Sequence, residues 1–462
     1  MYKIPLLVLF AWLLLLASTA PVAAECLGGT TSQLAVATEA RAPEGGPSNA
    51  QTVEVQPDIF VVLVDDLGFL PDQRVLERLP NIREVFLENG TRFTQMHNET
   101  PLCGPARAGL LSGQNTLRHG VIGNDGNALD LSRTLPLALD DVGYQTVMVG
   151  KLLNRWKGTR TPPGWDNVAM AKGAYRSAYW RNGELTSYRP MFIDEANRVQ
   201  VVEWTEQAPP DAPLFLLASM RAPHVDQCVN EKGVTCYTPR VMERDIGAAE
   251  CAGIPDFKPP SYSLERRTGP AQDMPDWPDG WKLVDVCESL LVIDRMVGDI
   301  VEAQSERGRP AWFIFMSDNG MSWGQHGNPF KRVPWSTQMP MYISGPGVGQ
   351  GETDALLSLI DIPVTIADIA GAEMPWADGR SFLPLLQGEG EGRSEVLEVM
   401  PGSWSGLRTA DRHYIRWDSG DVELYAYRDD PWHLDDLSDA EPEVVAQMDL
   451  RLDELLLASQ AE

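Results

Sequence analysis

Asp58-Ile-Phe-Val-Val-Leu-Val64-Asp65-Asp66 carries an apolar run with no polar alternation, closed abruptly by two carboxylates. Such a run predicts a strand buried on both faces, as the strands of a parallel sheet are. Similar runs are Gln145-Thr-Val-Met-Val149, Leu214-Phe-Leu-Leu-Ala218, Trp312-Phe-Ile-Phe-Met316 and Met341-Tyr-Ile-Ser344. Helical patterns lie between them, at Leu79 to Glu88, Arg107 to Leu111 and Leu283 to Ala303. Strands alternating with helices predict an α/β fold: a large mixed, mostly parallel sheet sandwiched by helices. Near residue 395 the texture changes. Short runs such as His413-Tyr-Ile-Arg-Trp417 and Glu423-Leu-Tyr-Ala-Tyr427 predict a small antiparallel sheet, closed by a helix at Glu441 to Leu457. The expected organisation is therefore a main domain over residues 56–395 and a small C-terminal α+β subdomain over 396–462.

The 462 residues carry 38 Lys+Arg against 65 Asp+Glu, a formal charge of -27. That field repels phosphate backbones and anionic membranes, so nucleic acid is not an expected partner. An anionic small molecule must instead be held by local cations. Residues 1–24 read as a cleaved secretion signal: Lys3, then an apolar run from Ile4 to Ala17, then Val22-Ala23-Ala24. The run is short for a membrane span, and no stable membrane insertion is expected. Cys26 follows Glu25, where lipidation favours a small residue, so a lipid anchor is the weaker reading. Residues 25–55 are rich in Ala, Thr, Gly, Pro and Ser and read as a flexible leader. Cys228, Cys236, Cys251 and Cys287 allow two disulfides in three connectivities, whereas Cys103 stands apart.

In open α/β sheets ligands sit beyond the carboxyl ends of the strands. Asp65-Asp66 follow the first run, Gly150-Lys151 the second, Arg221, Pro223 and His224 the third, and Ser317-Asp318-Asn319-Gly320 the fourth. Either pair, Asp65-Asp66 or Asp318-Asn319, read alone is better taken as a turn or a helix cap. Together, Asp65, Asp66, Asp318 and Asn319 form an oxygen-only donor set suited to calcium, or to magnesium as the other hard cation. Cys103-Gly104-Pro105-Ala106-Arg107 then predicts a helix start. Pro105 is tolerated in the first turn, and Cys103 lies at the positive end of the helix dipole.

Cys103-x-Pro105-x-Arg107 followed by Leu111-Ser112-Gly113 resembles the signature of the formylglycine-dependent sulfatases, within the alkaline-phosphatase-like superfamily. The similarity extends to Asp65-Asp66-Leu67-Gly68, Gly150-Lys151-Leu-Leu-Asn154, Pro162-Pro-Gly-Trp-Asp166, Ala222-Pro223-His224, Ser317 to Gly320, Gly327 to Lys331 and Ser344 to Gly347. In motif style it leans towards the glucosamine-6-sulfatase and arylsulfatase branch. Leu153 stands where many relatives carry His, and Ala106 replaces a commoner Ser.

The resemblance implies an alkaline-phosphatase-like fold that hydrolyses sulfate monoesters of sugars or aryl alcohols. It implies that a formylglycine-generating enzyme converts Cys103 to formylglycine, whose hydrated aldehyde attacks sulfur beside the cation. It places residue 103 with Asp65, Asp66, Asp318 and Asn319 around the metal. Lys151 and Lys331 would hold sulfate oxygens, Arg107 would stabilise the nucleophile, and His224 would protonate the leaving oxygen with help from Lys331. His119 is a candidate substrate ligand, with local capping as its alternative. Two other readings share the residues: a phosphonate monoester or phosphodiester hydrolase on the same scaffold, and a secreted binding protein on an inactive one.

Overall fold

The computed structural model describes residues 55–173, 176–229, 235–263 and 279–460. The expected signal at 1–24, Cys26, nearly all of the 25–55 leader and the side chains of Cys228 and Cys236 lie outside the described residues.

The strands of the main sheet are β1 (Asp58–Val64), β2 (Thr91–His97), β3 (Gln145–Gly150), β4 (Asn167–Ala171), β5 (Ala178–Arg181), β6 (Glu184–Ser187), β7 (Leu214–Ser219), β10 (Ala311–Ser317), β11 (Met341–Ser344) and β12 (Gly351–Ser358). Between β7 and β10 the hairpin β8 (Val225–Val229) and β9 (Thr235–Pro239) stands separately, with Cys228 opposite Cys236 in register. The order across the sheet is β12-β2-β11-β10-β1-β7-β3-β4-β5-β6. Its centre, β10-β1-β7-β3-β4, is all parallel. Antiparallel strands enter only towards the edges, at β11 on one side and β5-β6 on the other.

Every residue of β1 is buried. Phe60, Val62 and Val64 join one core cluster, while Ile59, Val61 and Leu63 join another. The first face is covered by helices Ile193–Gln207 and Leu283–Arg307. The second is covered by Cys103–Ser112, Leu135–Asp141 and Asp361–Ala370. The sandwich predicted from unalternating runs is therefore present. The pattern at Leu79 to Glu88 resolves differently: one short turn, Pro80–Ile82, runs into a wider π turn over Arg83–Glu88. Cys251 pairs with Cys287, which fixes one of the two expected bridges.

Residues beyond 395 form a separate antiparallel sheet, β13 (Val396–Met400), β14 (Trp404–Arg408), β15 (His413–Trp417) and β16 (Val422–Tyr425), backed by helix Pro442–Ala458. Its junction with the main sheet holds a buried polar cluster. Arg408 Nε donates to Glu398 at 2.7 Å, and His413 Nε2 lies 3.0 Å from the same carboxylate. Thr337 donates to Glu398 at 2.8 Å and lies 3.2 Å from His97 of β2. His433 Nε2 lies 2.8 Å from His413 Nδ1. Burial holds His97, His413 and His433 below the ordinary imidazole range, His413 at about 4.

Candidate active site

The parallel strands end together, so the polar residues that follow them converge. Asp66 turns the chain away from β1 through a left-handed conformation (φ 66°), and its N–H donates to Asp318 Oδ1 at 3.1 Å. Leu67 N donates to Ser317 Oγ at 2.9 Å, tying the end of β1 to the end of β10. At the end of β3, Gly150 adopts φ +105°, and a Cβ there would sit 1.9 Å from the Ser219 carbonyl oxygen. Only glycine lets Lys151 leave the sheet against β7 this closely.

Helix Cys103–Ser112 begins at the predicted residue, with extended Leu102 as its N-cap and Pro105 in its first turn. Its start aims at the strand ends. Cys103 Sγ lies 3.4 Å from Asp65 Oδ1 and 3.5 Å from Asp66 Oδ1. Lys331 Nζ lies 2.9 Å from the same sulfur, bonds Asp66 and stands 3.5 Å from Asn319 Oδ1. Arg107, one turn along the helix, donates through Nε to Asp318 Oδ2 at 2.8 Å and through Nη1 to the Lys151 carbonyl and Ser219 Oγ, each at 2.6 Å. Lys151 Nζ donates to Asp65 Oδ2 at 2.8 Å. Residues that follow β1, β3 and β10 and the start of helix Cys103–Ser112 thus share one centre.

Two residues without an assigned role in the sequence also enter it. Arg221 Nη1 donates to Asp65 Oδ2 at 2.9 Å, and its Nη2 lies 3.0 Å from His224 Nδ1. A guanidinium can only donate, so Nδ1 is the acceptor and the neutral ring carries its proton on Nε2. That nitrogen faces the centre, 3.5 Å from Asp66 Oδ2. Buried Asp194 accepts from the backbone N–H groups of Arg221 and Ala222 at 2.7 and 3.0 Å and so fixes the loop bearing both side chains. Arg221 follows a predicted strand and was readable as a neighbour of the centre. Asp194 sits far upstream at a helix start and carries no local signal. His119 is placed differently. It is buried, its Nδ1 accepts from Val121 N at 3.1 Å, and it makes no hydrogen bond or ion pair with the other candidates.

Burial would raise the Asp65 and Asp66 carboxyls, but the cations outweigh it. Lys151, His224, Arg221 and Arg107 hold Asp65 well below its usual value, and Lys331 with His224 holds Asp66 at about 2. Asp318 is pushed up, by burial and then by the charge of Asp65. Burial, then Asp318 and Asp66, push the Cys103 thiol far up, so an unmodified thiol there is protonated and a poor nucleophile. Carboxylate oxygens of Asp65, Asp66 and Asp318 and the Cys103 sulfur all lie within 4.8 Å of one another. Three carboxylates in that space, with the Asn319 amide beside them (its Nδ2 donates to Asp66 Oδ1 at 2.8 Å), fit a hard divalent cation, whose charge would relieve the repulsion that raises Asp318. Four cationic side chains (Arg107, Lys151, Arg221 and Lys331) surround the three carboxylates, so the centre keeps a local positive surplus inside an acidic protein. That surplus suits an anionic substrate.

The sulfatase family model matches residues 57–372, a span that includes every residue of this centre. The putative extracellular sulfatase Sulf-1 homolog of Caenorhabditis elegans is 25% identical over 387 residues, covering 76% of this chain and 52% of that protein. The chain thus spans about half the length of that relative. The N-acetylglucosamine-6-sulfatase of Capra hircus is 24% identical over 489 residues, covering 88% of this chain and 84% of the relative. A solved structure of BT4656 in complex with its substrate D-glucosamine-2-N,6-O-disulfate shares the fold. Its TM-score is 0.72 at 19% identity, over 88% of this chain and 98% of that one. With its signature helix, its strand-end carboxylates and two thirds of its length matching one family, the chain belongs to the sulfatases.

Proposed function

We propose that the chain hydrolyses sulfate monoesters of saccharides, with residue 103 converted to formylglycine and calcium held among Asp65, Asp66, Asp318 and Asn319. The observation that carries this reading is the position of Cys103 Sγ, 3.4 and 3.5 Å from two carboxylates and 2.9 Å from Lys331 Nζ. Calcium bound there supplies Lewis-acid polarisation of sulfate oxygens and a lowered pKa for the neighbouring hydroxyl. Formylglycine supplies a hydrated aldehyde in place of a thiol that burial keeps protonated.

The remaining roles fall to side chains already in place. Lys331 and Lys151, paired with Asp66 and Asp65 respectively, hold the sulfate oxygens. Arg107, locked by Asp318 and Ser219, offers positive charge at the helix start, where negative charge develops on residue 103. His224 presents its Nε2 proton to the leaving oxygen, with Arg221 fixing the ring. Secretion through the segment at 1–24 and maturation by a formylglycine-generating enzyme belong to the same reading. Relatives named as extracellular sulfatases support the first.

The test is turnover of sulfated monosaccharides, 4-nitrophenyl sulfate, and phosphate mono- and diesters by the full chain co-produced with a maturase. Sulfate esters should be cleaved, and chelation of calcium should abolish turnover until the ion is restored. Preferential cleavage of phosphate diesters, or activity indifferent to chelation, would overturn the proposal.

A further inference from the structure

A cavity of about 380 Å³ opens directly from the centre. It is lined by Lys151, Ser219, Arg221 and His224, which belong to or adjoin the centre, and by Arg155, Trp156, Lys172 and Trp180. The size is in the range of small-ligand pockets, roughly 300–1,000 Å³. Its charge is one-sided. Lys151, Arg155, Lys172 and Arg221 line it, and among the described residues no Asp or Glu does, although the chain holds 65 acidic residues against 38 basic.

The cations differ in what they touch. Lys151 and Arg221 are engaged by Asp65. Arg155 and Lys172 form no ion pair among the described residues, and the Lys172 ammonium stands 5.2 Å from the centroid of the Trp180 ring. Arg155 is held in a left-handed backbone conformation (φ 53°), which costs a side chain of its size energy that glycine would not spend. Three residues on, a Cβ at Gly158 would meet Trp156 Nε1 at 2.5 Å, so the missing side chain lets the Trp156 indole fold against the chain. An indole wall with uncompensated cations matches a sugar ring bearing a negative substituent, since apolar sugar faces stack on aromatic rings and fixed cations take the anion.

We propose that Arg155 and Lys172 recognise a second anionic group, sulfate or carboxylate, on the saccharide whose sulfate ester is cleaved at residue 103. The inference rests on the sulfatase reading and adds to it that the preferred substrate is at least doubly anionic. Lys151, Arg221 and His224 face the ester to be cleaved, and Arg155 and Lys172 face the group that is kept.

The test compares kcat/KM for glucosamine 6-sulfate with that for glucosamine N,6-disulfate and for a 6-sulfated sugar bearing a carboxylate, using full-length, converted, calcium-loaded protein. The unaltered protein should favour the doubly anionic sugars by about tenfold or more, the scale of one charge-assisted hydrogen bond. Arg155→Gln and Lys172→Gln should each erode that ratio mainly through KM. Arg155→Lys should keep part of it, and Arg133→Gln, remote from the cavity, should leave it intact. A ratio near one in the unaltered protein, or a ratio unmoved in R155Q and K172Q, would overturn the inference. Failure of the sulfatase reading would look different: no sulfate ester, 4-nitrophenyl sulfate included, would turn over. Calorimetric binding of the disulfated sugar to unaltered and R155Q protein then decides the second-anion site alone, and equal affinities would refute it.

Discussion

Asp65 and Glu398 are both fully buried carboxylates, each paired with arginine, yet their surroundings differ in kind. Around Asp65 three carboxylates meet four cations at the open ends of parallel strands, beside a cavity. Around Glu398 a single carboxylate meets a single arginine, and the neighbouring histidines are held neutral by burial between two sheets. The first arrangement leaves charge over for a ligand. The second balances itself and joins the C-terminal sheet to the main one. Buried charge alone therefore does not mark a reactive centre; an unbalanced set at a strand-end opening does.

Four changes should separate the two clusters. The largest effect belongs to residue 103. Cys103→Ala should lower turnover by more than about 10³-fold, as loss of a nucleophile does, with an unchanged thermal midpoint. Substantial activity in that variant would remove residue 103 from the mechanism. His224→Ala should cost roughly 10²–10⁴-fold in kcat on alkyl sulfates and much less on 4-nitrophenyl sulfate, whose leaving group needs no proton. An equal loss on both substrates would argue for a binding role instead.

Glu398→Ala should behave in the opposite way. It strands Arg408 without its partner and should cost about 3–5 kcal/mol of stability, read by denaturant unfolding, while the molecules still folded keep their kcat. A drop in kcat at full occupancy of the native state would make this cluster part of the centre. The smallest effect is that of pH on stability. His97, His413 and His433 stay neutral in the fold but protonate in the unfolded chain below about pH 6.5. The unfolded state then binds more protons, so stability falls as pH drops from about 6.5 towards the depressed folded values, near 4 for His413. The slope is up to roughly 1.4 kcal/mol per pH unit for each ring. Glu398, held well below its usual value mainly by Arg408 against the opposing effect of burial, acts in the same direction at lower pH. Unfolding midpoints that stay flat between pH 7 and pH 5 would show that these rings are already charged in the fold.

The reactive cluster was legible in the sequence and the structural one was not, for a physical reason. Parallel strands announce themselves as unalternating apolar runs, and topology alone brings their ends together, so Asp65, Lys151, His224 and Asp318 could be grouped before any coordinates. Cys103 was readable because Pro105 and Arg107 fix a helix start around it. Glu398, Arg408 and His413 lie within short strands that carry no motif, and only the docking of two sheets brings them to His97 and His433. Nothing local distinguishes them from an exposed face. The edge strands escaped for a related reason: Glu184–Ser187 is short and mostly exposed, so its sequence carries no burial pattern. Arg155 and Lys172 carry no site signal in the sequence, and only the folded cavity brings both into one lining.

The proposed sulfate-ester hydrolysis requires residue 103 to present a hydroxyl-bearing carbon, not a thiol, to the carboxylates and to Lys331. Mass spectrometry of the proteolytic peptide spanning residue 103, from active protein made with a competent maturase, tests this directly. The account predicts a peptide lighter than the cysteine form, as replacement of the thiol by an aldehyde requires. An intact cysteine in protein that turns over sulfate esters would contradict it.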